Sequence, residues 1–340
     1  PFHPNLHDSS SYGHPNYLQK GGLQHRRNDR FSDKTVIGSG QAETMKYYLT
    51  WLKTKWNKEE IATWRSMVKV LYVLLPIAIY SLLQDLIEIF LWALVNYGAG
   101  MAGDQVISYL SEHSDTLKGI LYAITIILAL LPFRTMIRNE ISNVMNGEKL
   151  TDFAVIQKYL WIAVLGLGAA FSLNFGMGLF SVVSNSSGYQ QVADAQYGVS
   201  FFIGLFLYGV VSPVTEEIIY RGITYQRLKR TFGVLPAMLI SALIFGGLHG
   251  NWVQAVYGTL MGILLAWVYE KYAGFLAPVL VHMVANLGVY SITYGSRLAG
   301  LSRKICITAT IGSVLITGVC FWYLNCRISQ SAGMMHNEGE

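Results

Sequence analysis

Residues 199–226 read VSFFIGLFLYGVVSPVTEEIIYRGITYQ. Three charged side chains, Glu216, Glu217 and Arg221, interrupt an otherwise apolar run. The run is longer than the roughly 20 residues that a helix needs to cross a bilayer. Its apolar residues are continuous, whereas a membrane barrel strand would alternate. Further runs of the same kind lie at about 68–97, 117–133, 158–181, 234–250, 252–271, 275–295 and 305–326. The sequence therefore predicts an all-α, polytopic membrane helix bundle of seven to eight transmembrane helices, with eight favoured. The first run is broken by Gln84, Asp85 and Glu88. It reads either as one tilted helix or as a span joined to an interfacial helix.

Composition agrees. Of the 340 residues, 52% are hydrophobic and 13% charged, against about 25% charged in a soluble domain. Mean hydropathy is +0.37. A soluble single domain, a disordered chain and a disulfide scaffold are all excluded. The net charge of +5 does not indicate a nucleic-acid partner, because the basic residues flank apolar runs as topology signals do. With the N-terminus inside, sixteen Lys and Arg of residues 46–340 fall at inner segments and four at outer ones. The sequence thus predicts cytoplasmic N- and C-termini. Cys306, Cys320 and Cys326 all lie in the last run, with no C-x-x-C pair, and read as packing thiols.

Residues 1–44 are polar and aperiodic and read as a disordered flank, or as a segment foreign to the natural product. Residues 45–116 form a cytoplasmic lead-in and first span, 117–198 accessory spans, 199–295 the functional core, and 296–340 the last span and tail. No hydrophilic part is large enough to fold alone, so function is sought within the helices.

An ionisable group inside a span costs about 2.5–3.5 kcal/mol and marks a functional site by default. Ser212-Pro213 reads as an N-cap and first helical position, so the 199–226 run is expected to break and restart there. That would put Glu216 near a helix start, where the dipole stabilises a carboxylate. Glu217 and Arg221 are spaced i,i+4 in the favourable order. Of eight histidines, only His249 and His282 lie in apolar runs. Phe245 precedes His249 by one turn, and Asn286 follows His282 by one turn. Gly246 and Gly247 would let another backbone approach. A carboxylate and an imidazole can deprotonate water, and a second imidazole with an amide can hold an oxyanion. Equally, Glu216, His249 and His282 could hold a catalytic metal as a His₂Glu set. Spacing alone leaves both open. H-e-x-x-H is absent, and so is G-x-S-x-G.

E-E-x-x-x-R (Glu216, Glu217, Arg221), F-x-x-x-H (Phe245, His249) and H-x-x-x-N (His282, Asn286), in this order on successive apolar runs, resemble the CPBP family. These are CAAX proteases and bacteriocin-processing or self-immunity (Abi) proteins, and the likeness is to the bacterial branch. The resemblance covers about 199–295. It implies an intramembrane endopeptidase whose site opens toward the cytoplasm and which cleaves a membrane-associated peptide or protein precursor in a bacterial cell membrane. Glu216 and His249 match the water-activating pair, His282 and Asn286 the oxyanion pair, and Glu217, Arg221 and Phe245 supporting positions. The resemblance favours a metal-free glutamate mechanism with no cofactor; a zinc-dependent peptidase is the alternative. A silent membrane scaffold, for immunity or signalling, and a proton-relaying transporter are the competing classes. One tension stands. On these boundaries His249 lies about 24 Å from the inner end of its run and His282 about 10 Å, so tilt or a deep cavity must bring them together.

Overall fold

The structure is a computed structural model that describes residue 46 and residues 58–141, 153–179, 185–272, 274–296 and 302–337. The flank expected over 1–44 lies outside the described residues. The chain divides into two units, Pro1–Ala62 and Thr63–Glu340, and the site lies in the second.

The described residues form helices and no strand. In chain order they are α1 (Lys58–Ala102), α2 (Asp104–Glu112), α3 (Ser114–Leu128), α4 (Arg134–Ile141), α5 (Phe153–Leu179) and α6 (Ser187–Gly198). Then come α7 (Phe201–Phe232), α8 (Val234–Gly247), α9 (Trp252–Tyr272), α10 (Leu276–Ser296) and α11 (Arg303–Asn337). Among the described residues, seven helices are long and apolar enough to cross a membrane. The remaining run, α8, has only 14 residues, about 21 Å, and crosses as the short arm of a hairpin with α9. The first run is one helix: α1 continues through Pro76, Gln84, Asp85 and Glu88. Val73, Ile77 and Tyr80 form its inward stripe, while Leu71, Ile89 and Phe90 stay exposed. Such outward apolar faces suit lipid rather than water.

Small residues set the helix spacing. A Cβ at Gly246 would fall within 2.6 Å of Ala255 and Thr259 atoms, and one at Gly262 would press on Ala242. α8 and α9 therefore form a close hairpin, which turns at Gly250 with φ 77°. Gly246 acts as the sequence suggested, whereas Gly247 faces open space. Gly166 does the same for α5 against the Val281 backbone of α10. Ile162 and Leu165 of α5, Leu265 of α9, Val281 of α10 and Leu324 of α11 fill the space between these helices. Cys320 packs there too, as an apolar thiol would.

The expected break at Ser212-Pro213 does not occur. Residues 201–232 stay helical, with wide π-type turns at Leu207–Val211 and Ile218–Tyr225. Ser212 has ordinary helical angles of φ −60° and ψ −52°. The widened turn before Pro213 relieves the ring's crowding of the preceding turn without ending the helix.

Candidate active site

Every sequence-predicted site residue converges on one half of the bundle. Glu216, Phe245, His249, His282 and Asn286 line one cavity of about 430 Å³, and Glu217 and Arg221 are buried next to it, Glu217 in contact with His282. Because α7 is unbroken, Glu216 sits mid-helix and no helix start is available to it. Its stabilising partner is instead Ser212, whose hydroxyl donates to Oε1 at 2.5 Å from one turn earlier. The Glu216 side chain is 24% exposed, and its other oxygen, Oε2, lies 3.7 Å from Nε2 of His282.

Glu217 is fully enclosed and does more than the i,i+4 spacing indicated. Its Oε1 accepts from Arg221 Nη1 at 2.9 Å and from His282 Nδ1 at 2.8 Å. Arg221 also donates to the Gly262 carbonyl at 3.3 Å. Its guanidinium lies 4.6 Å from the Phe245 ring centroid. The same ring meets His249 and His282 edge-on, with centroids 4.9 and 5.6 Å away. Phe245 thus separates the two imidazoles and holds both.

The hydrogen bonds fix what each imidazole can do. Nδ1 of His249 contacts the Phe245 carbonyl at 2.7 Å. A carbonyl only accepts, so Nδ1 carries the proton, and neutral His249 keeps a lone pair on Nε2. His282 has its Nδ1 proton pointed at Glu217, so its Nε2 is a donor only when the ring holds two protons. Two carboxylates flank that ring, Glu217 Oε1 at 2.8 Å from Nδ1 and Glu216 Oε2 at 3.7 Å from Nε2.

Asn286 has a second, structural duty. The Ser212 N–H donates to the Leu207 carbonyl across the wide turn. The next carbonyl, Tyr208, would need the N–H of residue 213, which is proline and has none. Asn286 Nδ2 donates to that carbonyl at 3.0 Å. Its second amide hydrogen remains for another acceptor.

The depth conflict shrinks in three dimensions. His249 lies in the turn after α8 and packs at Gly258, while Arg221 meets α9 at Gly262. His249 and His282 both meet the Phe245 ring, with centroids 4.9 and 5.6 Å away, and both line the one cavity, so their depths differ by less than the run boundaries implied. As to a metal, no group of three or more His, Cys, Asp or Glu side chains among the described residues is placed to hold one. Both Nδ1 atoms are engaged, with the Phe245 carbonyl and with Glu217, so a metal at this site would be held through the two Nε2 atoms and Glu216.

Sequence reasoning missed three contributors. Ser212 was legible as an i−4 partner of Glu216 but was read as a cap. The Gly262 carbonyl left no sequence signal. Eight tyrosines line the cavity, and their scatter over six helices hides them in one dimension. Two of these, Tyr189 and Tyr197, sit on α6, where burial pushes both phenols up, Tyr197 to about 12. They stay neutral hydrogen-bonding groups at ordinary pH.

Residues 198–288 match a family model described as Type II CAAX prenyl endopeptidase Rce1-like. The chain is 27% identical over 194 residues to "Putative membrane peptidase YdiL" of Bacillus subtilis, covering 55% of this chain and 75% of that one. It is 26% identical over 84 residues to the UPF0177 protein YxdF of Lactococcus lactis, covering 24% of this chain and 45% of that one. No solved structure matches. The likeness to the CPBP family, in its bacterial branch, is borne out over the segment that carries the three motifs. These matches support an integral membrane protein of the peptidase type.

Proposed function

From the Rce1-like character of residues 198–288, we propose that this chain is a CAAX-protease-like intramembrane endopeptidase. It hydrolyses a peptide bond in a membrane-associated peptide or protein precursor. The observation that carries this reading is the shared cavity, in which Glu216 and the lone-pair face of His249 border the same space as His282 and Asn286. Glu216 takes a proton from water, with His249 as its partner, and the hydroxide attacks the scissile carbonyl. His282, through Nε2 when that nitrogen carries a proton, and the second amide hydrogen of Asn286 donate to the oxyanion. The proton then passes to the leaving amine. Glu217 and Arg221 hold His282 in place, and Phe245 spaces the imidazoles. No metal is needed for these steps; a zinc-dependent version of the same peptidase is the alternative. The protein resides in a bacterial cell membrane with both termini cytoplasmic, as its basic residues suggest.

Comparing the membrane peptidomes of cells carrying the native chain and Glu216→Gln tests this reading. Precursors that accumulate uncut with Glu216→Gln, alongside lost products, are expected. Identical peptidomes at equal protein levels would favour the silent scaffold.

A further inference from the structure

Several helical hydroxyls in this chain turn back onto their own helix. Ser172 donates to the Gly168 carbonyl at 2.7 Å, Thr231 to Arg227 at 2.8 Å, Ser291 to Leu287 at 2.7 Å and Thr310 to Cys306 at 2.7 Å. Bonding to the carbonyl four residues back is the ordinary choice inside a helix. Ser212 departs from it. Its hydroxyl points forward and donates to Glu216 Oε1 at 2.5 Å. The carbonyl that back-bonding would use is that of Tyr208, and Asn286 Nδ2 already donates to it at 3.0 Å.

A second group bears on the same hydroxyl. Tyr122 of α3 lines the cavity together with Ser212 and Glu216, and its phenol is in hydrogen-bonding reach of Ser212. A serine hydroxyl has one proton and two lone pairs. That proton goes to Glu216, since an ionised carboxylate only accepts. Ser212 therefore meets Tyr122 as an acceptor, and the neutral phenol is the donor. The result is a one-way chain from Tyr122 to Ser212 to Glu216 Oε1, in which each bond strengthens the next. The Tyr122 ring is held in place. It stacks on Tyr208 with centroids 6.4 Å apart and packs against Leu207 and Val211. One turn further along α3, the Leu130 N–H bonds the Ile127 carbonyl, and Tyr80 of α1 donates to the Ile126 carbonyl at 3.3 Å. α1 thus pins the end of α3 that carries Tyr122. Both helices lie outside residues 198–288, the segment that the family model matches.

We propose that Tyr122, acting through Ser212, is a positioning residue that commits Oε1 of Glu216 and leaves Oε2 as the oxygen that takes the proton from water. The catalytic clause rests on the peptidase reading; the hydrogen-bond chain does not. Oε2 is the oxygen nearer His282, 3.7 Å from its Nε2, so a water bonded to Oε2 is on the side of the oxyanion donors. When the water O–H bond breaks, its proton moves to Oε2 and the hydroxide attacks the scissile carbonyl. The protons of Ser212 and Tyr122 stay where they are. Without the chain, the terminal torsion of Glu216 is free over a broad range, and the base loses its fixed aim at the water. That loss falls on kcat rather than on KM.

The test is a double-substitution cycle in the purified full chain, with Tyr122→Phe, Ser212→Ala and both together. Each substitution removes one hydroxyl and leaves ring and backbone in place. The best-cut member of an internally quenched peptide library gives kcat and KM in lipid nanodiscs, and SDS titration in mixed micelles gives stability. Ser212→Ala is expected to lower kcat by about 10–100-fold and Tyr122→Phe by about 3–10-fold, with KM within about twofold of native. The double variant should be no slower than Ser212→Ala alone, because Tyr122 reaches Glu216 only through Ser212. Native kcat in Tyr122→Phe, effects on kcat that multiply in the double variant, or a raised KM at native kcat would overturn the proposal. A native chain that cuts no member of the library would overturn the peptidase reading, and stability would then decide the chain. Destabilisation that is less than additive in the double variant supports the Tyr122–Ser212 bond, and additive losses overturn it.

Discussion

Glu217→Gln removes the one carboxylate among the described residues that contacts Arg221 at hydrogen-bonding distance. Both side chains are 0% exposed, so water cannot replace the lost charge. Breaking a buried ion pair by removing one partner costs about 3–5 kcal/mol. The amide oxygen can still accept from Arg221 Nη1 and His282 Nδ1, but the new amide NH₂ replaces Oε2, which is buried without a partner, so its hydrogens go unpaired. Glu216→Gln is different. Its side chain is 24% exposed, and the Ser212 hydroxyl can still donate to the amide oxygen, so the loss should be about 1 kcal/mol or less. The two neighbours should therefore differ by about 2–4 kcal/mol in unfolding free energy. SDS titration in mixed micelles, followed by far-UV circular dichroism, measures that difference. The double substitution Glu217→Leu with Arg221→Met should cost less than Glu217→Gln alone, because it leaves no unpaired charge. Equal destabilisation by Glu216→Gln and Glu217→Gln would refute the reasoning, as would a double variant less stable than Glu217→Gln.

Asn286→Ala should lower turnover by about 10²–10³-fold and also destabilise the fold by about 1–3 kcal/mol, because the Tyr208 carbonyl loses its donor. Adding Pro213→Ala, which restores a backbone N–H, should recover stability but not turnover; cleavage assays beside the same titration separate the two. Gly246→Ala should destabilise by about 1–3 kcal/mol, since its Cβ meets the α9 backbone. Gly247→Ala, facing open space, should be neutral or slightly stabilising in that assay. Activity should survive chelation and dialysis in the purified protein, and zinc should not raise it. Loss on chelation with recovery on adding zinc would support the alternative ligand set.

Much of the fold was legible because each apolar run maps onto a helix. Run length does not fix helix length, however: α8 stops after Gly247, well before the run ends, because the chain turns at Gly250 into α9. Ser212-Pro213 misled for a local reason. That pair does start helices, but here a widened turn absorbs the proline, and Ser212 is drawn to Glu216 instead. The Glu217–Arg221 pair was readable from i,i+4 geometry. The His282 contact to Glu217 joins residues 65 apart in sequence, and no periodicity reports such a contact. Asn286 shows the same limit. Its spacing from His282 placed it on the cavity face, but its bond to Tyr208 depends on a carbonyl orphaned on another helix. The α6 helix escaped notice because Ser187–Gly198 is polar and short, and its role as a cavity wall arises only when α5, α9 and α10 assemble around it.

The central claim is that Glu216 activates water for peptide hydrolysis. The most direct test is cleavage of a neutral, internally quenched peptide by purified protein in lipid nanodiscs, in ¹⁸O-labelled water. The account predicts one ¹⁸O atom in the new carboxyl terminus at single turnover. It also predicts a rate for Glu216→Gln lower by about 10²–10⁴-fold with the fold intact. Cleavage by folded Glu216→Gln at the native rate would contradict it.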